Sequence, residues 1–195
     1  MYDSKSVKLM KRIFDLLVAL GLILTLAPLF LLVVLAVRLT SVGPVLFRTQ
    51  RVGQGNKLFT MYKFRTMRID TPQVATHLLK EPDQFLTPIG KLLRRTSLDE
   101  LPQLINVLRG EMSLVGPRPA LFNQDDLIAL RTAGGVHQLI PGVTGWAQVN
   151  GRDELPIPEK VKLDEWYMKN RSFWLDLKIL GMTVFKVIRK EGVVH

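Results

Sequence analysis

The sequence predicts an α+β fold, predominantly helical, with an N-terminal re-entrant membrane helix, a small β-hairpin and interfacial helices. Three observations carry that prediction. An uncharged apolar block runs from Leu16 to Val37. VLFRTQRV and LFTMYKFRTM, rich in β-branched and aromatic residues, flank the loop GQGNK, the pattern of a single hairpin. Most of the remaining chain spaces its apolar residues as helices do, with proline and glycine between the segments.

The apolar block covers about 22 residues, or roughly 33 Å as a helix, enough to cross a bilayer. It is too long for the apolar core of a signal peptide, and no small-residue cleavage site follows before Arg38. Both flanks are basic: Lys5, Lys8, Lys11 and Arg12 precede it, and Arg38, Arg48, Arg51, Lys57, Lys63, Arg65 and Arg68 follow. Lysine and arginine favour the cytoplasmic side, so a straight span would carry one cluster across the membrane. A segment that enters and leaves on the same face avoids this conflict, and Pro28 supplies the place to bend. The expected division is therefore a membrane-anchoring segment, 1–40, followed by one domain, 41–195.

The hairpin comes next. Its GQG is not a dinucleotide fingerprint, because the third glycine and the following helix are missing. Strand alternation places Lys63 and Arg65 on one face as two fixed positive charges. Thr71 to Pro88, polar and holding three prolines, reads as a surface loop with a short helix. Leu101, Leu104, Ile105 and Leu108 mark an amphipathic helix ending near Gly110, and GPRP from Gly116 is a stiff turn. A short helix around 124–132 and a glycine-rich loop, Pro141 to Arg152, precede helices near 158–170 and 173–190. The last mixes apolar and basic residues around Trp174, which suits a helix lying on anionic lipid or packing on the core.

Composition narrows the chemistry. The 195 residues contain no cysteine, which excludes disulfides, thiolate metal sites and a cysteine nucleophile. The three histidines stand singly, without a second metal ligand at usable spacing. A net charge of +10 calls for an anionic partner or surface, while the 47% hydrophobic content argues against a nucleic-acid module.

The stretch SLDELPQ, preceded by Arg94 and Arg95, is the densest candidate. Ser97 and Glu100 fit a capping box, but Pro102 would then fall where a backbone donor is needed. With Asp99 as the helix cap, Pro102 falls within the first turn, where no donor is required, so that register is favoured. Either register sets both carboxylates at a positive helix end beside two guanidinium groups. An ionised Asp99 there can be a nucleophile, a magnesium ligand or a cap, and spacing does not choose among them.

RVGQGN from Arg51, YKFRTM from Tyr62, RRTSLDELPQLINVLRGEMSLVGPRP from Arg94, PGVTGWAQVNGR from Pro141 and KLDEWY from Lys162 together resemble the bacterial sugar transferase family. These are monotopic polyprenyl-phosphate phosphoglycosyl transferases, here of the small single-domain type, and the likeness covers essentially the whole chain. The one small departure is Ala27 before Pro28, where some members have serine.

The resemblance implies that 41–195 is a catalytic domain at the cytoplasmic face of the bacterial inner membrane. It makes Asp99 the nucleophile on a UDP-sugar, with Glu100 assisting and Mg2+ held by Asp99 and Glu100. UMP would leave, and undecaprenyl phosphate would collect the phosphosugar. It also implies substrate contacts from Arg94, Arg118, Lys63 and Arg65, and from Trp146, Gln148 and Asp164. Two other readings compete: a non-catalytic basic module that binds the membrane surface, and a polytopic transferase without a covalent intermediate. The single apolar block disfavours the latter. The sugar and the oligomeric state stay open.

Overall fold

The computed structural model describes residues 5–72, 81–151 and 155–189. The chain begins with two helices, α1 (Lys5–Thr25) and α2 (Ala27–Thr40), which meet at Leu26 with a bend of 63°. Pro28 lies in the first turn of α2, where its missing N–H is not needed. The Thr25 hydroxyl also turns back onto the Gly21 carbonyl at 2.8 Å, a bond that competes with helix continuation. Neither helix alone is long and apolar enough to cross a membrane; the bent pair taken together is.

The outer faces of this pair leave Leu17, Leu24, Leu31, Leu32 and Leu39 exposed. The inner face of α1 packs on the rest of the chain, with Ala19 fully buried in the main core beside Leu104, Val107, Leu114, Tyr167 and Ile179. Lys11 reaches Asp176 at 2.7 Å, and the buried Asp15 accepts from Ser113 Oγ at 2.7 Å.

The hairpin forms as expected from β1 (Leu46–Val52) and β2 (Leu58–Phe64), paired antiparallel from Leu46 opposite Phe64 to Val52 opposite Leu58. Its loop turns through Gly55 at φ 64°. Next come α3 (Gly90–Arg95), α4 (Gln103–Arg109), β3 (Ser113–Val115), β4 (Ala120–Leu121) and α5 (Asp125–Ala133). β5 (Gly142–Thr144), α6 (Trp146–Asn150), α7 (Ile157–Asn170) and α8 (Phe173–Arg189) complete the order.

β4 adds to the free edge of β1, while β3 and β5 form a separate parallel pair. Part of the segment expected to be a glycine-rich loop is therefore a strand followed by a short helix. Its glycines serve close approach: a Cβ on Gly116 would strike the Ile140 carbonyl, and one on Gly142 or Gly145 would strike the backbone of Gly116. Hydrogen bonds from Gly116 N to Thr144 O and from Gly142 N to Pro117 O, both 2.9 Å, close this contact. The GPRP turn is held backbone to backbone.

The helix over SLDELPQ starts later than either capping register allows. Ser97 sits in the left-handed region at φ 56° with no side-chain cap bond, Leu98–Glu100 form a 3-10 turn, and Pro102 caps α4. The physical reason is Pro102: its fixed φ suits a helix start, and the turn before it satisfies itself through Glu100 N to Ser97 O and Leu101 N to Leu98 O. α4 then ends at Gly110, φ 83°, as its glycine signals.

Candidate active site

The turn between α3 and α4 presents Asp99 and Glu100 to the end of β2 and to the GPRP turn. Lys63, the penultimate residue of β2, donates to Glu100 Oε1 at 2.6 Å. Arg118, between Pro117 and Pro119, donates to the same oxygen at 3.2 Å. Burial opposes the charge on Glu100, but the two cations and their hydrogen bonds outweigh it, so its carboxyl is held well below the usual range.

Asp99 is in the opposite condition. It is 8% exposed and, among the described residues, makes no ion pair. Burial pushes its carboxyl up to about 6, aided by the adjacent Glu100 charge and opposed by Lys63, Arg94 and Arg118. At neutral pH it is therefore ionised yet poorly satisfied. A desolvated carboxylate facing cations placed for an incoming anion has the properties of a nucleophile.

Arg94, from the last turn of α3, is oriented by its Nε bond to Thr66 Oγ1 at 3.0 Å. Burial lowers its guanidinium pKa, against the attraction of Asp99. Lys63, Arg94, Asp99, Glu100 and Arg118 thus converge.

The remaining candidates lie elsewhere. Arg65 falls just beyond β2 and turns to the end of α2, donating to Ser41 O at 3.0 Å, Ser41 Oγ at 2.8 Å and the Val42 carbonyl. Asp164, 1% exposed, is paired with Arg131, whose Nε and Nη2 meet its Oδ2 at 3.0 and 2.6 Å. Burial raises the Asp164 carboxyl and Arg131 counters it. Asp164 connects to the dyad indirectly, because Arg131 Nη1 donates to the Arg118 carbonyl at 2.7 Å. Trp146 stacks on Trp166 at 4.5 Å, and Gln148 Nε2 holds the Val143 carbonyl at 3.2 Å with its Oε1 buried and unpartnered.

Sequence reasoning missed Thr66 and Arg131. Thr66 lies inside the quoted YKFRTM, whereas nothing in the sequence around Arg131 points to Asp164. No group of three or more metal-ligating side chains forms among the described residues. A donor set of two carboxylates is what magnesium uses when substrate phosphates and water complete its shell, so Asp99 and Glu100 fit that ion.

The model of the family described as bacterial sugar transferase matches residues 6–190. An uncharacterized sugar transferase of Bacillus subtilis, EpsL, is 47% identical over 95% of this chain and 90% of its own length. The UDP-glucose:undecaprenyl-phosphate glucose-1-phosphate transferase of Caulobacter vibrioides is 44% identical over 96% of this chain and 73% of its own length. The Escherichia coli protein of the same description is 42% identical over 92% of this chain, which spans 40% of that protein. With the matched region running from α1 through the dyad to α8, the chain belongs to the bacterial sugar transferase family.

Proposed function

We propose that this protein transfers a sugar 1-phosphate from a UDP-sugar to undecaprenyl phosphate, giving undecaprenyl diphosphate sugar and UMP. The observation that carries the reading is the asymmetry of the dyad: Glu100 is neutralised by Lys63 and Arg118, while Asp99 stays buried, ionisable and unbridged. The names of the relatives in Caulobacter vibrioides and Escherichia coli support the substrate pair.

An Asp99 carboxylate oxygen attacks the sugar-bearing phosphorus, a P–O bond forms, and the bond to the bridging oxygen breaks with its electron pair departing on UMP. A phosphate oxygen of the lipid then attacks the same phosphorus and the aspartyl P–O bond breaks, restoring the carboxylate. Arg94 and Arg118 neutralise phosphate oxygens, and Lys63 keeps Glu100 in place. Magnesium, when held by Asp99 and Glu100, supplies charge neutralisation for the diphosphate and departing UMP.

The 63° bend and the exposed apolar faces of α1 and α2 support a re-entrant anchor that places this site at the cytoplasmic face of the bacterial inner membrane. Anionic headgroups complement the chain's positive charge. Labelling a cysteine at position 3 in intact cells tests the topology, and modification by an impermeant reagent from outside overturns it.

The central experiment incubates the protein with a labelled UDP-sugar and Mg2+ without lipid. A stoichiometric phosphosugar adduct on wild-type protein, absent from Asp99→Asn, is expected. Single-turnover UMP release with no trapped adduct overturns the covalent route. Screening UDP-sugars with undecaprenyl phosphate present identifies the sugar.

A further inference from the structure

The dyad does not account for the second concentration of positive charge, where α2 leaves the anchor. Arg65 is 4% exposed and is committed through its Nη atoms to Ser41 and Val42, yet its Nε is buried without a partner. Arg38, on the last turn of α2, is exposed and reaches the Gly43 carbonyl at 3.3 Å. The two guanidinium groups therefore grip consecutive carbonyls of the same three-residue connection.

Among the described residues no ion pair joins a carboxylate to either arginine. Two like charges, one of them buried, are costly without an anion between or beside them. Capping the end of α2 explains the Nη bonds of Arg65 but not the second guanidinium.

The rim bears on which anion would suit the two arginines. Leu39 is 82% exposed, Val42 85% and Ile69 67%. Ile69 also lies against the arginine site, since a Cβ on Gly43 would meet both Arg65 Nη1 and Ile69 Cγ2. A cationic centre inside an apolar rim suits a phosphate carrying an apolar chain, and two guanidinium groups match the two charges of a monoester better than the single charge of a phosphodiester.

The place also connects to the reaction. Two residues before Arg65, Lys63 holds Glu100; one residue after it, Thr66 orients Arg94. The end of β2 thus runs from the anchor rim to the dyad.

We propose that Arg38 and Arg65 form a site for the phosphate monoester of a single-chain lipid, apart from Asp99 and Glu100, where the acceptor waits before attack. This rests on the transferase reading and deepens it. The phosphate is met by Arg38 from the open side, while Arg65 fixes the Ser41–Gly43 connection and supplies charge behind it.

The test uses the full chain in phosphatidylcholine nanodiscs, comparing wild type with Arg38→Gln and Arg38→Lys. The expected result is a KM for undecaprenyl phosphate raised about tenfold in Arg38→Gln, KM for the UDP-sugar changed by less than about twofold, and partial recovery in Arg38→Lys. An unchanged KM for the lipid, or a parallel rise in both constants, overturns the site.

A binding arm separates this failure from failure of the transferase reading. Vesicles of phosphatidylcholine doped with undecaprenyl phosphate should retain wild type better than Arg38→Gln even if no UDP-sugar is consumed. Equal retention overturns the proposal. So does an Arg38-dependent preference for phosphatidylglycerol, which would make this a phospholipid headgroup site.

Discussion

Two pairs of carboxylates are withdrawn from solvent in this protein, Glu100 only in part, and they are finished differently. Beneath α1, Asp176 receives Lys11 at 2.7 Å and the Tyr167 hydroxyl at 2.6 Å, while Asp15 receives the Ser113 hydroxyl at 2.7 Å. Every partner is supplied by the chain itself, and the result joins α1, α7, α8 and β3. At the dyad only Glu100 is finished in this way, and Asp99 is left with unfavourable burial and cations at a distance. Completion marks a joint; incompletion marks a place where another molecule is meant to enter.

The largest way to break the comparison is Asp99→Asn. Phosphosugar transfer should fall by about a thousandfold or more, since the proposed nucleophile is gone, while circular dichroism and expression stay as in wild type. If the variant keeps more than about a tenth of the wild-type rate, Asp99 is not the nucleophile.

The joint should respond in the other currency. Asp176→Ala takes one acceptor from the half-buried Lys11 ammonium and one from the buried Tyr167 hydroxyl and should cost about 3 kcal/mol of stability, read from a denaturant midpoint. Activity per folded molecule should change little. A loss below about 0.5 kcal/mol would mean that water replaces the aspartate there.

A third test sharpens the contrast through pH. Because the folded-state pKa of Asp99 is raised from 3.8 to about 6, ionising it in the fold costs stability. That cost is absent below the unfolded value, grows as pH rises, and is complete above the folded value. Asp99→Asn should therefore be more stable than wild type at neutral pH by about 3 kcal/mol in metal-free buffer, and nearly equal to it below the unfolded pKa. A constant difference across that window contradicts the burial argument. The same titration predicts that single-turnover UMP release in wild type falls as pH drops through about 6.

The smallest effect concerns the brace behind Arg118. Arg131→Ala removes the donor to the Arg118 carbonyl and strands the buried Asp164, so kcat should drop about tenfold with a smaller change in the UDP-sugar KM. Arg131→Lys, which cannot reproduce the paired bonds, should recover only part of it. A change confined to stability would make the brace structural alone.

How legible all this was depends on how local the determining forces are. The hairpin, the α4 helix and its glycine end, α7 and α8 follow from alternation, periodicity and punctuation within a few residues. The parallel pair β3 and β5 was unreadable because each strand has three residues and is defined by contact with the other. The turn holding Asp99 was misjudged by a few residues, because Ser97 adopts a left-handed conformation that its type rarely signals. Lys63 and Arg65 share a face by alternation, but the strand ends at Phe64, so Arg65 swings to Ser41 instead. Arg131 emerged only from the fold, since a pairing across 33 positions leaves no pattern in a single sequence.

Arg12 shows what the joint beneath α1 means for the length of the molecule. Its guanidinium holds the carbonyls of Val107 and Leu108, at 2.6 and 3.0 Å, in the last turn of the helix that follows the dyad. The span of α1 from Arg12 to the bend at Leu26 is then a rigid spacer of roughly 21 Å at 1.5 Å per residue. A single inserted residue there would lengthen it by about 1.5 Å and turn the bend by about 100° about the helix axis. The register of one helix therefore sets both how far the bend lies from Asp99 and the direction in which it points.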